Sequence, residues 1–200
     1  MLKLSLPWSR DALLLPLIIF ICATFVFFLP SSISDHLIYD RALITAGEFW
    51  RLFTAHLVHT NDNHLLLNLA GLTMLWALHG DHYKMHTFLF AFSVSAIICS
   101  VGIFYFDVDM QRYVGLSGVL HGIFVWGTIK DIKKGWKTGY LLLFGVLAKI
   151  VYEQVFGASN DVEQLINARV AIDAHMWGAI GGLFYASLEQ LWIRTNSTRK

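Results

Sequence analysis

Residues 12–34 read ALLLPLIIFICATFVFFLPSSIS, 23 residues without a charged side chain. At about 1.5 Å of rise per residue, a helix of that length crosses the roughly 30 Å hydrocarbon layer of a bilayer. Five further stretches follow the same rule. Asn63–Gly80 lies between Asp62 and Asp81, Met85–Phe106 lies between Lys84 and Asp107, and Tyr113–Thr128 runs up to Lys130. Thr138–Phe156 carries only Lys149 and Glu153, and Val170–Ile193 only Asp173 and Glu189. Open strand edges would leave backbone groups unpaired in lipid, so the stretches read as helices. The sequence predicts an all-α integral membrane protein. It forms one membrane domain over 1–200, with six spanning helices near 12–30, 63–80, 85–106, 115–129, 138–156 and 170–193.

Composition points the same way. Hydrophobic residues make up 56% of the chain and charged residues 14%, against about 25% charged in an ordinary soluble domain. Such a chain cannot cover a water-facing surface, and lipid is the solvent that suits it. The net charge of +1, with no basic run interleaved with aromatics, gives no electrostatic case for nucleic acid. Cys22 and Cys99 sit in apolar runs without CxxC spacing and read as packing thiols. Lys3 and Arg10 before the first stretch resemble the start of a signal peptide, but the stretch is too long for one and no small-x-small cleavage site follows. It is expected to be a retained helix.

Cation placement orients the chain. With the N-terminus inside, Lys3, Arg10, Lys84, Lys130, Lys133, Lys134, Lys137, Arg194, Arg199 and Lys200 face the cytoplasm, and only Arg41, Arg51, Arg112 and Arg169 lie outside. That asymmetry places both termini in the cytoplasm. The long outer segment from Ser31 to Asp62 contains Phe49, Trp50, Arg51, Leu52 and Phe53, and is expected to lie in the outer headgroup layer.

Polar side chains inside a membrane are expensive, so each is a functional candidate. Gly115-Leu116-Ser117-Gly118 opens the fourth helix. Its glycines allow close backbone approach, and a serine at a helix start sits beside free N–H groups suited to an oxyanion. The same tetrapeptide also fits a serine N-cap with packing glycines. Ala174-His175 opens the sixth helix, followed by Gly178 and Gly182. That four-residue glycine spacing lets two membrane helices approach closely, and alone it also fits a structural histidine. His64 and Asn68 share a face at the start of the second helix, as oxyanion donors or as an interhelical hydrogen-bond pair. Lys149 and Glu153 are also i,i+4, either a self-neutralising pair or a polar contact for substrate.

Helices two, four and six all start on the outer side, so Ser117, His175 and the His64/Asn68 pair share one depth. A nucleophile, a base and oxyanion donors at one level form the minimum set for acyl transfer. Gly115-x-Ser117-Gly118, Ala174-His175-x-x-Gly178-x-x-x-Gly182, His64-x-x-x-Asn68 and Trp50-Arg51 together resemble the rhomboid intramembrane proteases. The resemblance implies a rhomboid-like bundle of six helices and no cofactor or metal. It implies Ser117 as nucleophile and His175 as general base, without the carboxylate of a triad. His64, Asn68 and Gly115 would then stabilise substrate and intermediate, with Gly178 and Gly182 in support.

The chain departs from the common rhomboid pattern at His121, where many members carry a tyrosine that packs on the catalytic histidine. Gly115-Leu116-Ser117-Gly118-Val119-Leu120-His121-Gly122, the compact chain and the Lys149/Glu153 pair look more like the rhombosortase branch. That branch is implied to process exported proteins with a C-terminal Gly-Gly, hydrophobic-helix and basic-tail signal at the outer face of a Gram-negative inner membrane. His121, i+4 from Ser117, is expected to support His175. Asp173, about 200° around the helix from His175, is not a third catalytic member. Two rival readings are an inactive rhomboid-like binder of membrane segments and a haem protein ligated by two of His56, His59, His64, His121 and His175. No HExxH supports a metalloprotease.

Overall fold

The computed structural model describes residues 6–197. Lys3, Arg199 and Lys200, counted above among the inner cations, lie outside the described residues. Helix α1 (Arg10–Phe27) starts at Ser9, whose hydroxyl accepts the Ala12 N–H, and it ends three residues before Pro30. The segment to the second long helix is not free loop. It folds into α2 (Ser31–Ser34), the short strand β1 (Tyr39–Asp40), α3 (Arg41–Thr45), α4 (Arg51–Thr54) and a 3₁₀ turn at Ala55–Leu57. Then come α5 (Asp62–His79), α6 (Met85–Phe106), the strand β2 (Arg112–Tyr113), α7 (Ser117–Lys133), α8 (Lys137–Phe156), α9 (Asn160–Ile166) and α10 (Ile172–Ser197). β1 and β2 pair antiparallel, Tyr39 opposite Tyr113.

The expected boundaries shift where local chemistry intervenes. α7 starts at Ser117, not Gly115, because Gly115 adopts φ +122°, which a right-handed helix cannot use. α8 stops at Gly157, φ +83°. α1, α6 and α8 are long and apolar enough to cross a membrane on length and composition alone. α5, α7 and α10 are 18, 17 and 26 residues long. They place polar and small residues inside the bundle, including His64, Asn68, Gly118, Gly122, His175, Gly178 and Gly182, and this dilutes their apolar character.

The centre is the contact of α7 with α10. A Cβ built at Gly178 would strike the Gly118 carbonyl, and one at Gly182 the Gly122 carbonyl. A Cβ at Gly118 would in turn come within 2.8 Å of the Ala174 carbonyl. Both helices therefore carry glycines four residues apart, and their backbones touch. α6 closes the third side. Trp177 lies across Gly102, and Ser95 fills the space beside Gly122 and Gly181. Phe88, Phe92, Val119, Ile123 and Trp126 pack the interior between these helices and α5. Outward, α8 exposes Leu141, Phe144, Val151 and Val155, and α10 exposes Leu183, Phe184 and Leu191, an apolar surface suited to lipid.

Arg51 does not reach out from its segment. Its side chain is buried, donating to the Asp35 and Ile38 carbonyls and to Glu48 at 2.7 Å, so it ties the outer segment together from within. Trp50 and Phe49 do point outward.

Replacing Gly182 by alanine sets a methyl against the Gly122 backbone, which cannot yield as a side-chain tip would. The expected cost is about 1–3 kcal/mol, typical of overpacking, read as a lowered unfolding temperature in detergent. Alanine at Gly145, whose Cβ would meet nothing, should leave that temperature unchanged.

Candidate active site

The loop before α7 is fixed from several sides. Gly115 donates its N–H to the Ala55 carbonyl at 3.1 Å, and its own carbonyl accepts the Tyr113 hydroxyl at 2.7 Å. His56 lies beneath, fully buried, its Nε2 donating to the Ala96 carbonyl at 3.1 Å. Burial holds its pKa down at about 4, so the ring is neutral and its one proton sits on Nε2. The positive φ of Gly115 turns the chain, and any Cβ there would sit 2.7 Å from His64 Nε2. Leu116, not Ser117, occupies the N-cap position, so Ser117 is the first helical residue with its backbone N–H unclaimed by the helix.

His175 is buried at the start of α10, and its Nε2 lies 3.0 Å from Ser117 Oγ. Its Nδ1 lies 2.8 Å from Glu153 Oε2 on α8. A carboxylate only accepts, so Nδ1 carries the proton and Nε2 presents its lone pair to the serine. The other Glu153 oxygen accepts from Lys149 Nζ at 2.6 Å. Glu153 is buried, with one oxygen on the imidazole and the other on Lys149, whereas Lys149 is half exposed. The relevant signal was depth: α8 ends, and α10 begins, on the same side of the bundle. Asp173 instead accepts from Gln154 at 2.8 Å and takes no part in this cluster.

His121 stacks on His175 with centroids 4.1 Å apart and planes 18° apart. Its Nδ1 donates to the Ser117 carbonyl at 2.8 Å, not to the hydroxyl. His121, Glu153 and His175 bring ligand atoms within 4.8 Å of one another. However, an imidazole holds a metal in its ring plane, and two nearly parallel stacked rings cannot share one ion. The same stacking leaves no gap for a porphyrin between His121 and His175, and His56 Nε2 is committed to the Ala96 carbonyl.

His64 and Asn68 face this group from α5. The Asn61 side chain caps α5 by accepting the His64 N–H at 2.8 Å. Thr60 gives its hydroxyl hydrogen to the Ile166 carbonyl, so its Oγ1 accepts from His64 Nδ1 at 3.0 Å, and Nε2, the atom facing Gly115, carries the lone pair. Asn68 gives one amide hydrogen to the His64 carbonyl at 2.9 Å and keeps the other free. These residues line a crevice of about 310 Å³ with Ser117, His121, Lys149 and His175. Its remaining walls, Leu67, Met74, Leu120, Phe124 and Val146 among them, are apolar. A second, larger cleft of about 640 Å³ opens above Ser117 between the β2 loop and the chain leading into α10. α9 borders both through Ile166, whose carbonyl accepts the Thr60 hydroxyl at 2.7 Å.

The chain is similar over 153 residues, at 26% identity, to the candidate rhomboid protease YdcA of Bacillus subtilis (strain 168), covering 72% of this chain and 69% of that protein. The profile of the Rhomboid domain family matches residues 46–190, a span that holds the Gly115 turn, both ends of the glycine contact and every member of the cluster around Ser117. This chain belongs to the rhomboid family, and that membership together with its apolar helices makes it an integral membrane protein of the intramembrane serine protease type.

Proposed function

We propose that the protein is an intramembrane serine endopeptidase that cuts the anchoring segment of membrane proteins near the outer, periplasmic face of a bacterial inner membrane. In this reading all six long helices cross the bilayer, both termini are cytoplasmic and the cleft above Ser117 admits water from outside. The observation that carries it is the 3.0 Å approach of His175 Nε2 to Ser117 Oγ at the floor of a crevice with apolar walls. An extended peptide released from a membrane helix needs such walls beside the nucleophile, with polar groups only at the reacting carbonyl.

The reaction follows from the assigned protons. Ser117 Oγ attacks the scissile carbonyl carbon as its proton passes to His175 Nε2. The carbonyl π electrons move to the oxygen, which meets the free Asn68 amide hydrogen and the Ser117 backbone N–H, with His64 alongside. Collapse expels the amine, which takes the proton from His175 as the C–N bond breaks, leaving an acyl-Ser117 for water or another nucleophile to resolve. His121 keeps the His175 ring from tipping by stacking on it.

For the substrate, the likeness at His121 and the compact chain favour exported proteins ending in Gly-Gly, a hydrophobic helix and a basic tail. The basic tail would stay on the cytoplasmic side while the Gly-Gly pair reaches Ser117.

A fluorophosphonate probe should label the detergent-purified wild type. Ser117→Ala should abolish labelling, and His175→Ala should slow it by at least about 10²-fold, the usual contribution of a general base. Persistent labelling of Ser117→Ala would place the nucleophile elsewhere. Gly115→Ala strains a positive-φ position and crowds His64, disturbing the turn that aims the Ser117 N–H, so labelling should fall by on the order of 10²-fold, as for loss of one oxyanion donor. In vesicles, a reporter with the Gly-Gly, apolar-helix and basic-tail signal should be cut, and its Leu-Leu counterpart should survive.

A further inference from the structure

We infer that Glu153 is the third member of a Ser117–His175–Glu153 triad, and that Lys149 fixes which oxygen of that carboxylate faces the imidazole. The inference rests on the protease reading above and departs from the two-residue machinery that the family resemblance implies.

Four observations carry it. The Ser117 Oγ–His175 Nε2 contact of 3.0 Å and the His175 Nδ1–Glu153 Oε2 contact of 2.8 Å lie on opposite nitrogens of one ring, as a relay requires. Glu153 is buried, at 8% exposure, where an ionised carboxylate persists only with partners. Its two oxygens are divided between two donors, Oε2 to the imidazole and Oε1 to the Lys149 ammonium at 2.6 Å. Asp173, the other carboxylate near His175 in sequence, is turned to Gln154. Glu153 therefore acts through His175 as a positioning residue. It holds the Nδ1–H tautomer, which leaves Nε2 free to take the serine proton. It also faces the imidazolium formed in the attack, and the Nδ1 proton stays on the imidazole throughout.

Lys149 gives this arrangement a property that a simple counter-ion would lack. In Glu153→Gln the side chain has one carbonyl oxygen and one NH₂ group. Lys149 can only donate, so it claims the carbonyl oxygen and turns the NH₂ toward His175 Nδ1. Nδ1 must then accept, the ring proton moves to Nε2, and Ser117 loses its base. Removing the ammonium as well frees the amide to rotate and offer its oxygen to Nδ1, which restores the working tautomer.

The test is the rate of fluorophosphonate labelling of the full-length protein in detergent, with unfolding temperature as a fold control. Wild type, Ser117→Ala, Glu153→Gln, Glu153→Asp, Lys149→Met and Glu153→Gln/Lys149→Met are compared. Glu153→Gln should label on the order of 10³–10⁴-fold more slowly, the size of effect seen when a triad carboxylate becomes an amide. The double variant should recover at least about tenfold over Glu153→Gln. Glu153→Asp, one methylene short of Nδ1, should fall between the two and serves in place of Glu153→Gln if the latter does not fold. Labelling of Glu153→Gln within about threefold of wild type, or a double variant no faster than Glu153→Gln, overturns the inference. Labelling that persists in Ser117→Ala overturns the underlying protease reading instead, whatever Glu153 does.

Discussion

The structure depends on two helix backbones lying in direct contact. Gly118 and Gly122 on α7 meet Gly178 and Gly182 on α10, and at each crossing a carbonyl occupies the space a side chain would need. In lipid no hydrophobic effect drives helices together, so close van der Waals packing must do so. The contact also fixes the distance between the helix starts. Ser117 sits one residue before Gly118 and His175 three residues before Gly178, so the glycines that join the helices set the gap across which serine and histidine meet. Stability and reactivity rest on the same few atoms.

A second constraint sits above the first. The turn at Gly115 needs a residue without a side chain, both for its φ of +122° and because His64 Nε2 fills the adjacent space. That turn is held by Ala55 and Tyr113, and the segment carrying Ala55 is held by the buried Arg51 through the Asp35 and Ile38 carbonyls. This segment, with Phe49 and Trp50 exposed, is therefore also the scaffold that presents Ser117. An arginine on a hydrophobic protein invites a headgroup assignment. Here its planar fork is used to collect backbone carbonyls in a segment with little regular structure.

Much of this was legible in the sequence, for physical reasons that also explain what was not. Charge-free stretches mark helices because charges in lipid are costly, and α6 coincides with its expected span. The shared depth of Ser117, His175, His64 and Asn68 followed from counting cations and run lengths. Glycines at 178 and 182 announced a close helix contact. Their partners, Gly118 and Gly122, could not be named, because spacing specifies one face and not what packs on it. Glu153 was visible only as half of an i,i+4 pair with Lys149. Its turn toward His175 depends on the rotation of α8, which is mostly lipid-facing and so leaves little periodic signal. The inward turn of Arg51 was not legible, because a buried guanidinium satisfied by carbonyls leaves no pattern in the sequence around it.

The charges of the cluster sum in a way that suits its apolar walls. At rest, Lys149 and Glu153 cancel, and His175 and His121 are neutral in the assigned tautomers, so the crevice holds no net charge. When Ser117 attacks, His175 becomes cationic and the substrate oxygen anionic, and the sum is again zero. Coulomb attraction strengthens as the effective dielectric falls, so the imidazolium gains from Glu153 and the oxyanion gains from donors already aimed at it. Lys149 balances the charge of the carboxylate before there is an imidazolium to face it. Its half-exposed ammonium keeps part of its hydration while neutralising a buried partner. The pair is thus a means of storing an anion beside the base at a depth where an unpaired one would not persist.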